Sequence, residues 1–539
     1  MTSTPTDDRA ESFPPILPTR WIHWLLLGCI LLTGTLLRLE RLTHDGYWLD
    51  EFWSIYLSTG RGDALFDAPS GVLYDPAPAS NFVNAPPWWR VWSGMHSAVH
   101  PPLYHIVLRW WIDGFSDSET STRLLSTVFS LASIIIHFDI VRRTSGPWQA
   151  LAPAMLMSVC LWPVHYSQVT RSYTMLVFLG LLAAWCITRI ERDGPTLWRL
   201  ILLFIATWTM AMTHYFAAGA LAGMGLYVLI RLRGSARAKT AGAMIGAILL
   251  MAITWGPSFI AARGHLQSDG DYLQDPNGGL LASIHRVFQA PAILVLSQMT
   301  VEKPVLVFLV NILYLALALF ALVIPVLNFR RQPLALFWWL WVMGSLWFVA
   351  VFDVARQTDM LVFVRYIFLA TPGILCLLVM PPPMLQKSRR RGCFSGALLI
   401  FITTWALAAD FHHDSPAQLA RLRDWRALAR LIDQTAGPRD TLVFNPSDQF
   451  FPAFWYMSYR DYVPDSQRPV MFLTTPADAS AQQALRAKGK AWFIGFNPDD
   501  EARQLLPGWN VQSIQSIDKT GGLGILIPPG DSTQNAPGR

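Results

Sequence analysis

Charge is scarce in this chain. Only 14% of its 539 residues are Asp, Glu, Lys or Arg, against roughly a quarter in soluble domains. That shortage excludes an ordinary water-soluble globule. Cysteine is also sparse. Cys29, Cys160, Cys186, Cys376 and Cys393 sit in or at the ends of apolar runs, with neither metal-ligand spacing nor a disulfide pattern. No small-residue cleavage site follows the first apolar run, so that run is expected to remain as an anchor. The apolar runs carry few charges at their centres, where a midplane transport pathway would need them. The C-terminal portion has no glycine-rich phosphate loop. The net charge of +6 does not point to nucleic acid, because the basic residues fall in short clusters between apolar runs and read as topology signals.

Apolar residues are abundant. They make up 53% of the chain, with 24 tryptophans and a mean hydropathy of +0.33. Tryptophan favours the membrane interface, where its ring is half apolar and half wet. A spanning helix needs about 20 apolar residues. The runs near 22–38, 121–141, 148–164, 172–190, 197–213, 215–231, 239–260, 304–328, 334–352, 361–380 and 394–410 predict a polytopic α-helical membrane protein of about eleven spans. The basic clusters are Arg142-Arg143; Arg189, Arg192 and Arg199; Arg231, Arg233, Arg237 and Lys239; Arg330-Arg331; and Lys387 with Arg389–Arg391. With eleven spans all of them share the side of the N-terminal tail (residues 1–21), which the positive-inside rule makes cytoplasmic. That arrangement requires Pro101–Phe115 and Leu280–Thr300 to lie along, or dip into, the outer interface. The first of these carries His105, Arg109 and Asp113, which suits an interfacial helix.

Residues 22–410 then form the membrane domain, with 38–121 as a long first external loop. From 411 to 539 the composition changes. Asp424–Gln434 and Ala477–Lys488 read as helices, and Thr441–Phe444, Val470–Leu473, Trp492–Phe496 and Leu523–Ile527 as short buried strands. This is a small C-terminal α/β domain, extracytoplasmic by the odd span count. Read alone it is a lid or scaffold with no chemistry of its own.

Four polar constellations fall on the outer side: the first loop with Asp50-Glu51 and His100-Pro101-Pro102, the hairpin His165–Tyr173, the turn Thr213–Phe216, and the loop Asp353–Tyr366. Acidic groups at a bilayer edge are functional candidates. Asp50 could take a proton from an acceptor hydroxyl or amine as it attacks a sugar carbon. A sugar on a lipid phosphate already has a good leaving group, so one carboxylate and a cationic phosphate pocket suffice. Glu51 reads equally as a cap on a short interfacial helix starting near Phe52. His100 could bind phosphate or orient the base, or simply mark a helix start before its prolines. Arg171 with Tyr173, and Arg365 with Tyr366, stand at span mouths. An arginine there offers a planar fork for phosphate or snorkels to headgroups. His214 and Tyr215 fill a tight turn, and His165 and Gln168 read as local hydrogen-bonding residues. No spacing among Glu51, His100 and His214 specifies a metal.

The strings LDEFWS, HPPLYHIVLRWW, SETSTRLLSTVFSL, SQVTRSYTML, THYFAA, RYIFLATPG and DWRALARLI, in this order, resemble the GT-C superfamily of membrane glycosyltransferases. The likeness is to the bacterial branch akin to protein O-mannosyltransferases and the aminoarabinose transferases of lipid A, over most of residues 22–445. It implies inverting transfer from a polyprenyl-phosphate sugar to a lipid, glycan or protein acceptor at the outer face of a bacterial inner membrane. The catalytic acid of the first external loop maps to Asp50, with Glu51 and the His-Pro-Pro segment around it. Arg171 and Arg365 map to donor-phosphate binding, with Tyr173, His214, Tyr215 and Tyr366 lining the site. The superfamily has members with a divalent metal and members without. His100 stands where the aminoarabinose transferases carry lysine, and the large luminal insertion of the eukaryotic protein mannosyltransferases is missing. Both departures leave the acceptor open. The rival expectation is a transporter or flippase of lipid-linked sugars.

Overall fold

The computed structural model describes residues 18–40, 42–62, 65, 68–95, 100–261, 273–275, 279–296, 304–329, 333–379, 390–411, 424–445, 453–517 and 521–529. Helices run in chain order: α1 (Trp21–Leu39), α2 (Leu49–Ser58), α3 (Trp89–Gly94), α4 (Leu103–Gly114), α5 (Glu119–Thr144), α6 (Pro147–Val159), α7 (Leu161–Ser167), α8 (Tyr173–Asp193), α9 (Leu197–Ala211), α10 (Ala217–Arg231), α11 (Gly234–Ala261), α12 (Leu280–Leu296), α13 (Pro304–Ala318), α14 (Pro333–Arg356), α15 (Val364–Ile367), α16 (Thr371–Val379), α17 (Arg390–Phe411), α18 (Trp425–Thr435), α19 (Ala453–Tyr462), α20 (Ala479–Lys488) and α21 (Pro498–Leu505). The strands are β1 (Leu73–Tyr74), β2 (Thr441–Phe444), β3 (Val470–Phe472), β4 (Ala491–Gly495), β5 (Asn510–Ile517) and β6 (Gly521–Ile527). The chain divides into two compact units. A helical unit takes in residues 1–40, 99–104 and 123–417, and a sheet unit takes in 41–98, 105–122 and 418–539.

In the helical unit, the described residues include six helices long and apolar enough to cross a membrane, with shorter apolar helices beside them. The protein is therefore a multi-pass membrane protein. All the apolar runs expected to span fall on helical segments, but two are interrupted. The run 148–164 breaks between α6 and α7, where Pro163 cannot donate its backbone nitrogen to the preceding turn. The carbonyls freed there are taken by Arg38, which is fully buried. Its guanidinium donates to Ser158 O at 2.8 Å, Met157 O at 2.9 Å and Ser130 Oγ at 3.0 Å. An arginine inside an apolar bundle is tolerated because its guanidinium donates to several acceptors there. The run 361–380 splits into short 3-10 turns around α15 before α16 begins.

Helices α10 and α14 cross at very close range. A Cβ on Gly223 would stand 2.1 Å from Leu340 O, and one on Gly219 would stand 2.4 Å from Gly344 O. This Gly-x-x-x-Gly stripe lets backbones touch where lipid supplies no hydrophobic drive for association. The two ends of the bundle differ chemically. At one end Asp139 accepts from Arg142 and Arg143, and Arg231 pairs with Glu191. Arg189 and Arg199 pair with Asp193 there, so members of three expected basic clusters are tied to carboxylates. The clusters at Arg330-Arg331 and at Lys387 and Arg389 lie outside the described residues. Helix α12 buries its C-terminal half. Residues 290–296 pack inside, and Trp162 donates to Ile293 O at 2.7 Å.

In the sheet unit six strands lie in the order β1-β3-β2-β4-β6-β5. β2 runs parallel to β3 and β4, while β6 is antiparallel to β4 and β5. The four expected strands and both expected helices form, with ends shifted by at most two residues. Helix α18 starts where the Asp424 side chain accepts from Ala427 N at 2.9 Å, and it buries the stripe Trp425, Leu428, Ala429 and Ile432. The sequence reading did not foresee β1, β5, α19 or α21. The unit also reaches further back than a domain starting at 411. β1, from the first loop, adds antiparallel to β3 with Leu73 opposite Met471. Tyr47, Phe52, Ile55 and Tyr56 share one apolar core with Trp425, Leu442, Tyr456 and Phe472.

Candidate active site

At the end of the helical unit opposite the basic clusters, several helices stop and start together. Residues 168–172 form a bend between α7 and α8, closed by Arg171 N donating to Val169 O at 2.8 Å. Side chains of α5 fix that bend: Ser126 Oγ donates to Val169 O at 2.7 Å and Thr127 Oγ1 to Ser167 O at 2.8 Å. Gln168 N donates locally to His165 O at 3.0 Å, but the side chain reaches further. Its amide donates to Glu40 O at 2.8 Å and Leu37 O at 3.0 Å, capping α1. The His-Pro-Pro segment is tied in by Leu103 N, which donates to Met212 O at 3.2 Å.

The structure brings His100, Arg171, Tyr173, His214, Arg365 and Tyr366 into one cluster. The His100 and His214 rings are 5.1 Å apart, and His214 lies 6.4 Å from Tyr173. Arg171 sits over the Tyr173 ring at 5.6 Å, and Arg365 over Tyr366 at 5.0 Å. Phe216, not foreseen from sequence, stacks on His214 at 5.1 Å and meets Tyr366 edge-on at 5.1 Å. Tyr215 turns elsewhere: its hydroxyl accepts from Trp255 Nε1 of α11 at 2.9 Å.

His214 is 4% exposed. Burial, with Arg171 and Arg365 adding to it, holds its imidazole down at about 3. The ring is therefore neutral. Its Nδ1 accepts from Phe216 N at 3.2 Å, which leaves Nε2 to carry the proton. A neutral donor among two permanent cations suits an anion.

The turn that precedes Arg365 is set by a carboxylate. Asp353, in the last turn of α14, is buried. It accepts from Met360 N at 2.7 Å, Thr358 Oγ1 at 2.8 Å and Leu361 N at 3.0 Å. These bonds set the turn that enters α15. The signal was present as an acid followed closely by a Thr, but its partners are backbone groups and carry no sequence mark.

Asp50 and Glu51 lie in the sheet unit, in the first turn of α2, which begins at Leu49 and not near Phe52. Glu51 is buried and caps its own helix, accepting from Trp48 N at 3.1 Å. Asp50 is half-buried. The far end of α2 is held by α4, a helix of 12 residues, about 18 Å long and too short to cross a bilayer. His105 meets Ser54 O at 3.3 Å and Arg109 donates to Thr59 O at 3.0 Å. The near end is held by Tyr462, Glu119 and Arg426. Tyr47 N donates to the Tyr462 hydroxyl at 2.8 Å, and that hydroxyl donates to Glu119, which also pairs with Arg426. Burial and the Glu119 carboxylate push the Tyr462 hydroxyl up, so it stays a donor. Asp461 is crowded by Asp117, Glu119 and Glu51, and burial together with these charges raises its carboxyl well above the usual range. Among the described residues, no group of three or more His, Cys, Asp or Glu side chains is arranged to hold a metal ion.

The fold described above is similar to that of solved structures. ArnT from Cupriavidus metallidurans in the apo state is 12% identical, with 94% of this chain and 97% of that chain covered and a TM-score of 0.56. The same protein bound to undecaprenyl phosphate is 11% identical over 94% and 98% of the two chains, with a TM-score of 0.52. Residues 99–257 match the family model described as dolichyl-phosphate-mannose-protein mannosyltransferase. No curated protein sequence matches. The chain is thus similar in fold to ArnT over nearly all its length, and residues 99–257 match that family model.

Proposed function

We propose that the protein moves a sugar from a polyprenyl-phosphate carrier to an acceptor at the outer face of a bacterial inner membrane. The membrane domain would have eleven spans, the N-terminus would be cytoplasmic, and the sheet unit would lie outside. The observation that carries this reading is the pair Arg171 and Arg365 flanking a buried, neutral His214 on the fold of a protein solved with undecaprenyl phosphate.

The roles follow from the chemistry. The acceptor hydroxyl or amine attacks the anomeric carbon, and the Asp50 carboxylate takes its proton. The bond from that carbon to the phosphate oxygen breaks, and the carrier leaves as a lipid phosphate with inverted stereochemistry at the sugar. Charge grows on the leaving phosphate, where Arg171 and Arg365 stabilise it as permanent cations with forked donors. His214 and His100 offer further donors, and Tyr173 and Tyr366 form the aromatic rim. Glu51 holds the helix that carries Asp50.

The test uses detergent-purified protein with no second compartment. Undecaprenyl-phosphate mannose, glucose, arabinose and aminoarabinose, each labelled in the sugar, are supplied with a cell-envelope extract as acceptor. Label should leave one carrier in the wild type. Asp50→Asn should lower kcat by about a thousandfold while the protein stays folded in the membrane. Turnover of none of the carriers, or near-normal turnover by Asp50→Asn, would sink the reading. Movement of intact carrier across vesicles without sugar transfer would instead support a flippase.

A further inference from the structure

The geometry points to Tyr462 as a positioning residue for Asp50, through a hydrogen-bonded latch that ties the carboxylate's loop to the C-terminal part of the chain. The inference rests on Asp50 being the base. Three contacts converge on the Tyr462 side chain. It accepts from Tyr47 N at 2.8 Å and donates to Glu119, so both functions of a phenol are used. It packs against the one residue that leaves room for it: a Cβ on Gly46 would lie 2.9 Å from the hydroxyl oxygen. Its ring also meets Phe52 edge-on at 6.0 Å, so it braces the loop before α2 and the first turn of α2 together.

The latch is itself anchored. Glu119 opens α5 and is shared between Tyr462 and Arg426, while Arg426 also donates to Thr43 O at 3.3 Å. Tyr47 is pinned at its other end, where its hydroxyl bonds Thr122 Oγ1 at 2.7 Å. Asp50 therefore projects from a helix whose entry is fixed by residues 46–47, 119, 426 and 462 together. Nothing in the chemistry of transfer calls on Tyr462 or Glu119 directly. Their value lies in the angle at which they present the base, and an error of about 1 Å in such a group can cost about a hundredfold in rate.

Tyr462→Phe removes only the hydroxyl and keeps the ring against Phe52. In the full-length protein it should lower kcat by roughly 10- to 100-fold with the donor KM unchanged. Hydrogen exchange at the Tyr47 amide, which loses its acceptor, should rise by about tenfold or more. Glu119→Ala should behave in the same way. Glu119→Gln keeps an acceptor and should stay within about threefold of wild type. Faster exchange at Tyr47 with unchanged kcat overturns the positioning role, as does unchanged exchange. A rise in KM equal to the loss in kcat/KM, with kcat kept, overturns it as well. Near-normal turnover by Asp50→Asn in the same assay would remove the base assignment itself, a result distinct from an inactive Asp50→Asn beside a fully active Tyr462→Phe.

Discussion

The arginine cluster of the helical unit and the carboxylate helix of the sheet unit are held in place by different means. Arg171 and Arg365 stand where helices break, and turns fix them: a bend closed by its own backbone and pinned by Ser126 and Thr127 of α5 in one case, and the Asp353 turn in the other. Asp50 stands on a helix of ten residues, too short to be stable alone, and residues hundreds of positions away hold it. A short bend and a helix-end turn place the two cations, whereas the helix that carries Asp50 is built into a folded core.

Removing both cations should give the largest effect. The double variant Arg171→Ala, Arg365→Ala should weaken undecaprenyl phosphate binding, read by tryptophan fluorescence, by about 3–6 kcal/mol in total, from roughly 1.5–3 for each charged hydrogen-bonding group. Lysine at either position should restore only part of it, since the planar fork is gone. Trp425→Ala is the counterpart in the sheet unit. Trp425 is 2% exposed and meets Trp455 edge-on at 5.0 Å, so its loss should cost about 3–5 kcal/mol. Turnover should collapse while undecaprenyl phosphate still binds. Loss of both together would show that the two regions are not separable.

Smaller changes sharpen the contrast. Asp353→Asn should cost about 1–3 kcal/mol, because one backbone donor loses its acceptor, and should raise the donor KM several-fold without altering the α2 region in hydrogen exchange. His214→Gln should act mainly through pH. The folded protein holds His214 neutral down to about 3, whereas the unfolded chain takes up that proton near pH 6.5. Between those limits the unfolded state binds more protons, so stability falls as pH falls. The melting temperature of His214→Gln should therefore decline less steeply than wild type from pH 6 to pH 4.

Much of the helical unit was legible, because apolar length and basic clusters report membrane physics directly. The Arg/Tyr pairs at span mouths were legible for the same reason, since polar groups there are conspicuous. Tyr215 was misleading. Next to His214 in sequence, it faces α11 because adjacent residues of a tight turn point apart. The Gly219–Gly223 stripe was present as a motif, but its meaning depends on Gly344 arriving opposite, which no local pattern encodes. In the sheet unit the parallel strands announced themselves as continuous apolar runs. β5 is largely exposed and β1 has two residues, so neither gives such a run. The tie between the tail and α2 leaves no mark in the sequence, because it runs through Tyr462, Glu119 and Arg426, three polar residues in separate segments with no spacing rule between them.

The pairing of β1 with β3 carries a consequence for biogenesis. A ribosome feeding this chain into a bilayer delivers residues 73–74 long before residues 470–472 exist. Until then the first loop has an open strand edge and an apolar face awaiting partners. That edge stays unpaired until residues 470–472 emerge, and this unfinished stage is when a chaperone would be most needed.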